Sequence, residues 1–440
     1  MGQDSPGIGI VVATAVGLGA IIGAGIFTLS GTAIALAGDW ALFAFVLVGL
    51  VAVVVALEVG ELCSLFPNLS GATYSYVYEA FGSELGFITG VFLYFSFASS
   101  ISVVALGFGS YFADLLSLPG ASYPTYVAIL LIAVLACVNM LGIRKAARAD
   151  FGLVVVKVAI LLAVVAFALL TAARSGSATD FLALEPSSEG VAGIFGASVA
   201  VFFAYSGFQT ISTFVQSVRG GASAAAKAIL SSVAISMVLY ILVAISLLAL
   251  VPWNMFSIGA DPLAFALSSS HAPGYLLTAV DIGALIATAS ASLALLLSSS
   301  RIVRQISLDG LLPKIMRSYD GRRDVARNGV LISAGVGIAM LYSGNIFVIA
   351  AISNFGLLFS YLMASFALIH FRRLGKKGSF QVPFFPYLPV AAMITILAFM
   401  VGMPQEALVF GVVMVLALII IYYALGEYEE KEPVKIRFFE

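Results

Sequence analysis

Charge is what this chain has least of. Only 10% of its 440 residues are Asp, Glu, Lys or Arg, and the formal net charge is −1. An ordinary water-soluble domain carries roughly 25% charged residues, so a soluble globular protein is excluded. A near-neutral balance also gives no basic footprint for nucleic acid. Cysteine and histidine are almost missing. Cys63 and Cys137 both lie in apolar helical sequence and offer no disulfide framework. His271 and His370 stand alone, and no His, Cys or carboxylate group has metal-ligand spacing, so neither a metal nor a cofactor is expected. No nucleophile–base pair appears, which argues against a membrane-embedded enzyme. The start, Met1-Gly2-Gln3-Asp4-Ser5-Pro6, lacks the basic region of a cleavable signal, and Pro6 spoils the myristoylation pattern. Insertion is expected to rely on the first spanning helix itself.

Hydrocarbon fills the sequence instead. It is 62% hydrophobic, with a mean hydropathy of +1.12, as in an all-α integral membrane protein embedded in the lipid bilayer. Apolar runs of roughly 17–25 residues mark spans. They fall near 8–30, 41–66, 84–115, 124–142, 151–173, 192–217, 226–251, 275–304, 326–342, 346–371, 385–402 and 405–425. That predicts twelve transmembrane helices, the third and eighth long enough to tilt or project. Placing the N-terminus inside puts 19 of the 21 Lys and Arg residues on the cytoplasmic side, in the segments around Arg144, Arg219, Arg301 to Arg327, Arg372 to Lys377 and the tail 426–440. Only Arg174 falls outside, and Lys157 lies within a span. This asymmetry predicts a multi-pass protein of the plasma membrane with both termini cytoplasmic.

The first span is interrupted by Gly19-Ala20-Ile21-Ile22-Gly23-Ala24-Gly25-Ile26-Phe27. In hydrocarbon every free backbone N–H or C=O is costly, so such a break is tolerated only beside protein or a polar cavity. The sixth span carries a second break, Phe202-Phe203-Ala204-Tyr205-Ser206-Gly207-Phe208-Gln209. The two spans enter from opposite sides, and matched breaks in inverted halves predict a midplane binding site. Close helix packing at the glycines is the alternative reading.

With these breaks the sequence resembles the amino acid–polyamine–organocation (APC) permeases. Glu61-Leu62-Cys63-Ser64-Leu65-Phe66-Pro67, then Ser70-Gly71-Ala72-Thr73-Tyr74 and Ala80-Phe81-Gly82, resemble the end of their second helix and its loop. Ser300-Arg301 with Asp309-Gly310-Leu311-Leu312-Pro313 resembles the segment after their eighth helix. Two departures stand out: Gln209 where members often have an acid, and Ser70-Gly71 in place of Gly-Gly. The resemblance implies a LeuT-like five-plus-five inverted repeat with helices 1 and 6 unwound. Its halves would be 8–173 and 192–371, followed by two additional helices over 385–425 and the tail.

The resemblance further implies an amino acid held between the breaks. N–H groups freed at Ala24, Gly25 and Ile26 open the second half of helix 1, whose positive dipole end favours a carboxylate. Carbonyls freed at Ile21, Phe203 and Ser206 would accept from the ammonium, with Ala204 in the same break. Glycine at 23 and 25 would let the ligand approach without a Cβ in the way. Phe203 is either an aromatic lid or an ordinary core or lipid-facing ring. The breaks hold no charged side chain, so a ligand with a neutral side chain is expected. Ser100, Ser102 and Val104 on the third span are candidates for the pocket wall.

Lys157 sits in Val154-Val155-Val156-Lys157-Val158-Ala159-Ile160, about 10 Å into the fifth span. A lysine at the centre of a span costs roughly 2.5–3.5 kcal/mol, so it needs a partner or a function. Snorkelling to the interface is one account. The resemblance implies another: in proton-coupled relatives an ammonium on helix 5 takes the place of a bound sodium ion. Its acceptors here would be the carbonyls of Gly19 and Ile22 and the hydroxyl of Ser290. Glu58 and Glu61 share one face near the end of the second span, either pairing with loop arginines as a gate or forming a solvated helix end. Asp281 either faces a vestibule or reaches the interface, and Asn139 and Asn354 read as interhelical donors. The function expected is symport of neutral amino acids with protons. Exchange, sodium symport and a non-transporting sensor remain as alternatives.

Overall fold

The computed structural model describes residues 8–23, 25–67, 69, 72–118, 120, 122–141, 146–175, 184–321 and 325–424. Ala24, the Ser70-Gly71 pair, Arg144, Lys145, Arg322, Arg323 and the tail 426–440 therefore lie outside the described residues. The order is α1 Ile10–Ile21, α2 Gly25–Thr28, α3 Ser30–Ala37, α4 Ala41–Leu65, α5 Thr73–Phe81, α6 Ser83–Leu115, α7 Tyr123–Leu141, α8 Ala146–Ser175 and α9 Val191–Tyr205. A 3-10 helix over Phe208–Ser217 follows. Next come α10 Gly221–Leu250, α11 Pro262–Ser269, α12 Gly274–Leu308, α13 Arg327–Met340, α14 Ile346–Arg373, α15 Tyr387–Val401 and α16 Gln405–Ala424.

Ten helical segments among the described residues are long and apolar enough to cross a membrane. They match ten of the twelve expected runs. The other two runs are α13, with 14 residues, and α15, with 15. At 1.5 Å per residue each reaches only about 21–23 Å, short of a 30 Å hydrocarbon core. The first span differs in another way. Helical structure resumes after its break and continues to Ala37, well past the expected end near 30. It stops at Gly38, whose φ of +67° suits a residue without a Cβ.

α6 lies at the centre, packed against α12 and α14, while α10 covers α4 and α1. Burial separates centre from rim: 83% of the α14 span is enclosed by protein, against 17% for α16. On α16 the side chains of Val409, Val412, Val413, Leu416 and Ile420 are exposed, an apolar face that suits lipid rather than water. Polar side chains in the interior mostly satisfy themselves. Ser198 donates to the Ile194 carbonyl at 2.7 Å and Ser299 to Leu295 at 2.8 Å, the back-bonding that lets serine sit in an apolar helix. Asn354 donates to the Val199 carbonyl at 2.5 Å and Asn139 to Leu293 at 3.4 Å, both across helices. Asp281 is buried, with one carboxylate oxygen unpartnered among the described residues.

At the end of α4 the two acids part company. Glu61 takes both N–H arms of Arg372 at the end of α14 and accepts the Val382 N–H at 2.6 Å. Glu58, three residues back, accepts from Ser365 instead. Glu61 is fully buried, so removing its guanidinium would strand a carboxylate. Arg372→Ala is expected to cost about 3 kcal/mol, read as a lower melting temperature of the purified protein.

Candidate functional site

The two broken spans lie side by side and antiparallel. The Arg219 N–H donates to the Ile8 carbonyl at 2.8 Å. Further along, a Cβ on Gly17 would meet Ile211, one on Gly207 would meet the Ala20 carbonyl, and one on Gly25 would overlap the Ala204 backbone. A Cβ on Gly193 would strike the Leu36 carbonyl. As the numbers rise from 8 to 36 on the first span, their neighbours fall from 219 to 193 on the sixth. One register therefore holds along the whole pair, with both breaks at its middle.

Each break has a local cause. Ile22 leaves the helical region at φ −77° and ψ 59°, and the Gly23 N–H turns back to the Ile21 carbonyl at 2.8 Å. On the other span Ser206 is extended at φ −63° and ψ 155°. Gly207 follows at φ +109°, a left-handed conformation that side chains resist.

The glycines of the first break are spoken for by protein. The Cβ direction of Gly23 points at Ala291 of α12, and that of Gly25 at Ala204 of α9. The expectation that both leave room for a ligand is corrected on this point: their missing side chains let helices touch. The carbonyls are also engaged. Ile21 accepts from Gly23 N–H and from the Tyr240 hydroxyl at 2.8 Å. Phe203 accepts the Ser206 N–H at 3.1 Å and the Ser206 hydroxyl at 2.7 Å. A carbonyl oxygen has two lone pairs, so an ammonium at either would displace one of these donors. Gly25 and Ile26 are buried, and their amides open the helical run that follows the break.

Between the spans is a cavity floored by Ala20, Ile21 and Gly25 and walled by Phe203, Ser206, Gly207, Gln209 and Thr210. Ser100 and Val104 of α6 face it, together with Ser96 and Phe97, and Ala291, Leu295 and Ser298 of α12 close the side. None of its described lining residues is charged. Ser102 is not among them; it bonds the Gly337 carbonyl of α13 at 2.5 Å. Phe203 is buried in the cavity wall.

Tyr240 was not singled out by the sequence. Its hydroxyl on α10 lies 2.8 Å from the Ile21 carbonyl and 3.1 Å from that of Ala204, so one group spans both breaks. Tyr240→Phe would leave the buried Ala204 carbonyl without this donor. The expected loss is about 1–3 kcal/mol, measured as a drop in melting temperature with the ring packing unchanged.

Away from the cavity, Lys157 of α8 is fully buried. Its Nζ lies 2.6 Å from the Ser290 hydroxyl and 3.4 Å from the Gly19 carbonyl. Ser290 passes its own proton to the Ala287 carbonyl at 3.1 Å, leaving its lone pairs to the ammonium. The structure thus brings Lys157, Gly19 and Ser290 together. Ile22 is buried at the end of α1, its N–H bonded to Leu18 at 2.7 Å.

Residues 12–432 match the model of the amino acid permease family. The chain belongs to that family. Its members are transporters, not enzymes, which places this permease in a membrane with a small-molecule substrate. It is 30% identical to a methylthioribose transporter of Bacillus subtilis, over 89% of this chain and 87% of the relative. It is 28% identical to the branched-chain amino acid permease BcaP of Lactococcus lactis, over 95% and 94% of the two chains. The Bacillus subtilis BcaP is 25% identical over 93% and 90%.

Proposed function

We propose that this permease is a proton-coupled symporter that takes up neutral amino acids by alternating access across the plasma membrane. The observation that carries the reading is the uncharged cavity at the crossing of two antiparallel, broken spans. A ligand with a charged side chain would find no counter-charge there. Its carboxylate is assigned to the amides at Ala24, Gly25 and Ile26. Its ammonium is assigned to the carbonyls of Ile21, Phe203 and Ser206, where it exchanges with the hydroxyls of Tyr240 and Ser206. The antiparallel register also supports a LeuT-like five-plus-five arrangement, with repeats over 8–173 and 192–371 and twelve membrane helices in all. α13 and α15 would be the short members, accommodated by tilt or local thinning. Both termini are assigned to the cytoplasm by the positive-inside asymmetry.

The coupling proton is assigned to Lys157, because a buried ammonium that bridges α8, α1 and α12 can report protonation to the broken helix. Uptake of labelled leucine and threonine into proteoliposomes, with pH and sodium gradients imposed separately, tests the reading. Accumulation of at least one of the two, driven by an inward proton gradient alone, is expected. Accumulation that requires sodium, or that occurs only against internal amino acid, would replace it with sodium symport or exchange.

A second reading is favoured by the same absence of charge. Methylthioribose is an uncharged ligand, and the relative named for it is 30% identical to this chain. Inhibition of amino acid uptake by unlabelled methylthioribose would support it.

A further inference from the structure

One carboxamide in the cavity wall is left over. Gln209, on the 3-10 helix after the second break, is 1% exposed, and neither its Nε2 nor its Oε1 has a hydrogen-bond partner among the described residues. It lines the cavity between the broken spans. Two of the cavity's hydroxyls are already committed. Ser100 donates to the Ser96 carbonyl at 2.8 Å and lies 2.7 Å from the Ser353 hydroxyl, and Ser206 donates to Phe203. Most of the remaining wall is hydrocarbon: Phe97, Val104, Phe203, Leu295 and Leu357.

We propose that the Gln209 carboxamide is the specificity-determining group of this cavity and reads an uncharged hydroxyl or carboxamide on the ligand. The inference rests on the cavity being the substrate site. A carboxamide offers two donors and an acceptor at one place. A hydrocarbon side chain would leave both ends unpaired and buried. An ammonium would satisfy only the oxygen, a carboxylate only the nitrogen, and either would bring an uncompensated charge. A hydroxyl or another carboxamide satisfies both. Sites built to hydrogen-bond a ligand reject the analogue lacking that group far more strongly than a hydrocarbon pocket rejects a missing methylene. The same chemistry is found on the side chains of threonine and asparagine and on the ring of a pentose.

Threonine and valine have nearly the same shape and differ by hydroxyl against methyl, so they isolate the effect; asparagine and leucine repeat it for the carboxamide. In proteoliposomes, wild-type kcat/KM for threonine should exceed that for valine by at least about tenfold. Gln209→Met, similar in length and without hydrogen-bonding groups, should bring the ratio towards one, mainly by losing threonine. Wild-type protein that carries valine as well as threonine, and leucine as well as asparagine, overturns the inference while leaving neutral amino acid transport intact. So does a Gln209→Met protein that loses both members of each pair equally, which is the signature of a structural role. If that variant does not fold, the wild-type ratios alone decide. If no amino acid is carried but methylthioribose is, and Gln209→Met weakens it, the pentose is the ligand: amino acid transport falls and the role of Gln209 stands. If none of these ligands is bound or carried, both fall.

Discussion

Lys157→Ala is expected to bind substrate yet fail to concentrate it, its accumulation ratio falling to about one under a pH gradient that drives the wild type. The reason lies in what one ammonium holds together. Nζ bonds Ser290 of α12 and the Gly19 carbonyl of α1, and Gly19 sits one turn before the break at Ile22 and Gly23. Protonated, the group has three donors and a full charge with which to bridge these helices. Neutral, it keeps two donors and gains a lone pair that faces other lone pairs, so the bridge loosens. Protonation and substrate then bias the same helix, which is what thermodynamic coupling between two sites requires. Lys157→Arg should hold the charged arrangement permanently, since guanidinium does not deprotonate at working pH, and give a protein that binds but turns over poorly. Sodium should not restore Lys157→Ala. If that variant still concentrates substrate on a pH gradient alone, the lysine is a structural bridge and the coupling proton is carried elsewhere.

The features legible in the sequence are those that violate the hydrocarbon rule locally. Glycines at 23 and 25, Ser206-Gly207 and the charge at Lys157 each stand out against apolar neighbours, because a bilayer punishes them unless something compensates. What compensates them is long-range and leaves no local trace. Tyr240 reaches Ile21 across 219 positions of sequence, and in an apolar helix a tyrosine with this duty looks like any other. Helix facing is equally hidden. Ser100 and Ser102 are two residues apart, nearly opposite on an α-helix, and only the packed structure sends one to the cavity and the other to α13. Gln209 was visible only as an unusual residue in a familiar place. Its significance comes from its place in the cavity wall, where the hydroxyls of Ser100 and Ser206 already have protein partners.

Gly25 decides between the two accounts of the first break. If the missing Cβ made room for a ligand carboxylate, Gly25→Leu would fold normally and bind nothing. The structure points the Cβ instead into the backbone of Ala204. Backbone cannot rotate away as a side chain can, and Ala204 is fixed by its carbonyl's contact with Tyr240. The register of the two broken spans would have to open at its midpoint, where a Cβ on Gly207 would likewise meet the Ala20 carbonyl. Ordinary overpacking costs about 1–3 kcal/mol; a collision with backbone at the crossing of two spans should exceed that. Gly25→Leu is therefore expected to yield little or no monodisperse folded protein in detergent, and Gly25→Ala to melt several degrees below wild type. Gly9→Ala, with nothing within 4 Å of the added Cβ, is the control and should melt with the wild type. A Gly25→Leu protein that melts like the wild type but no longer binds would restore the ligand-clearance account and show that the spans can part at this point without unfolding.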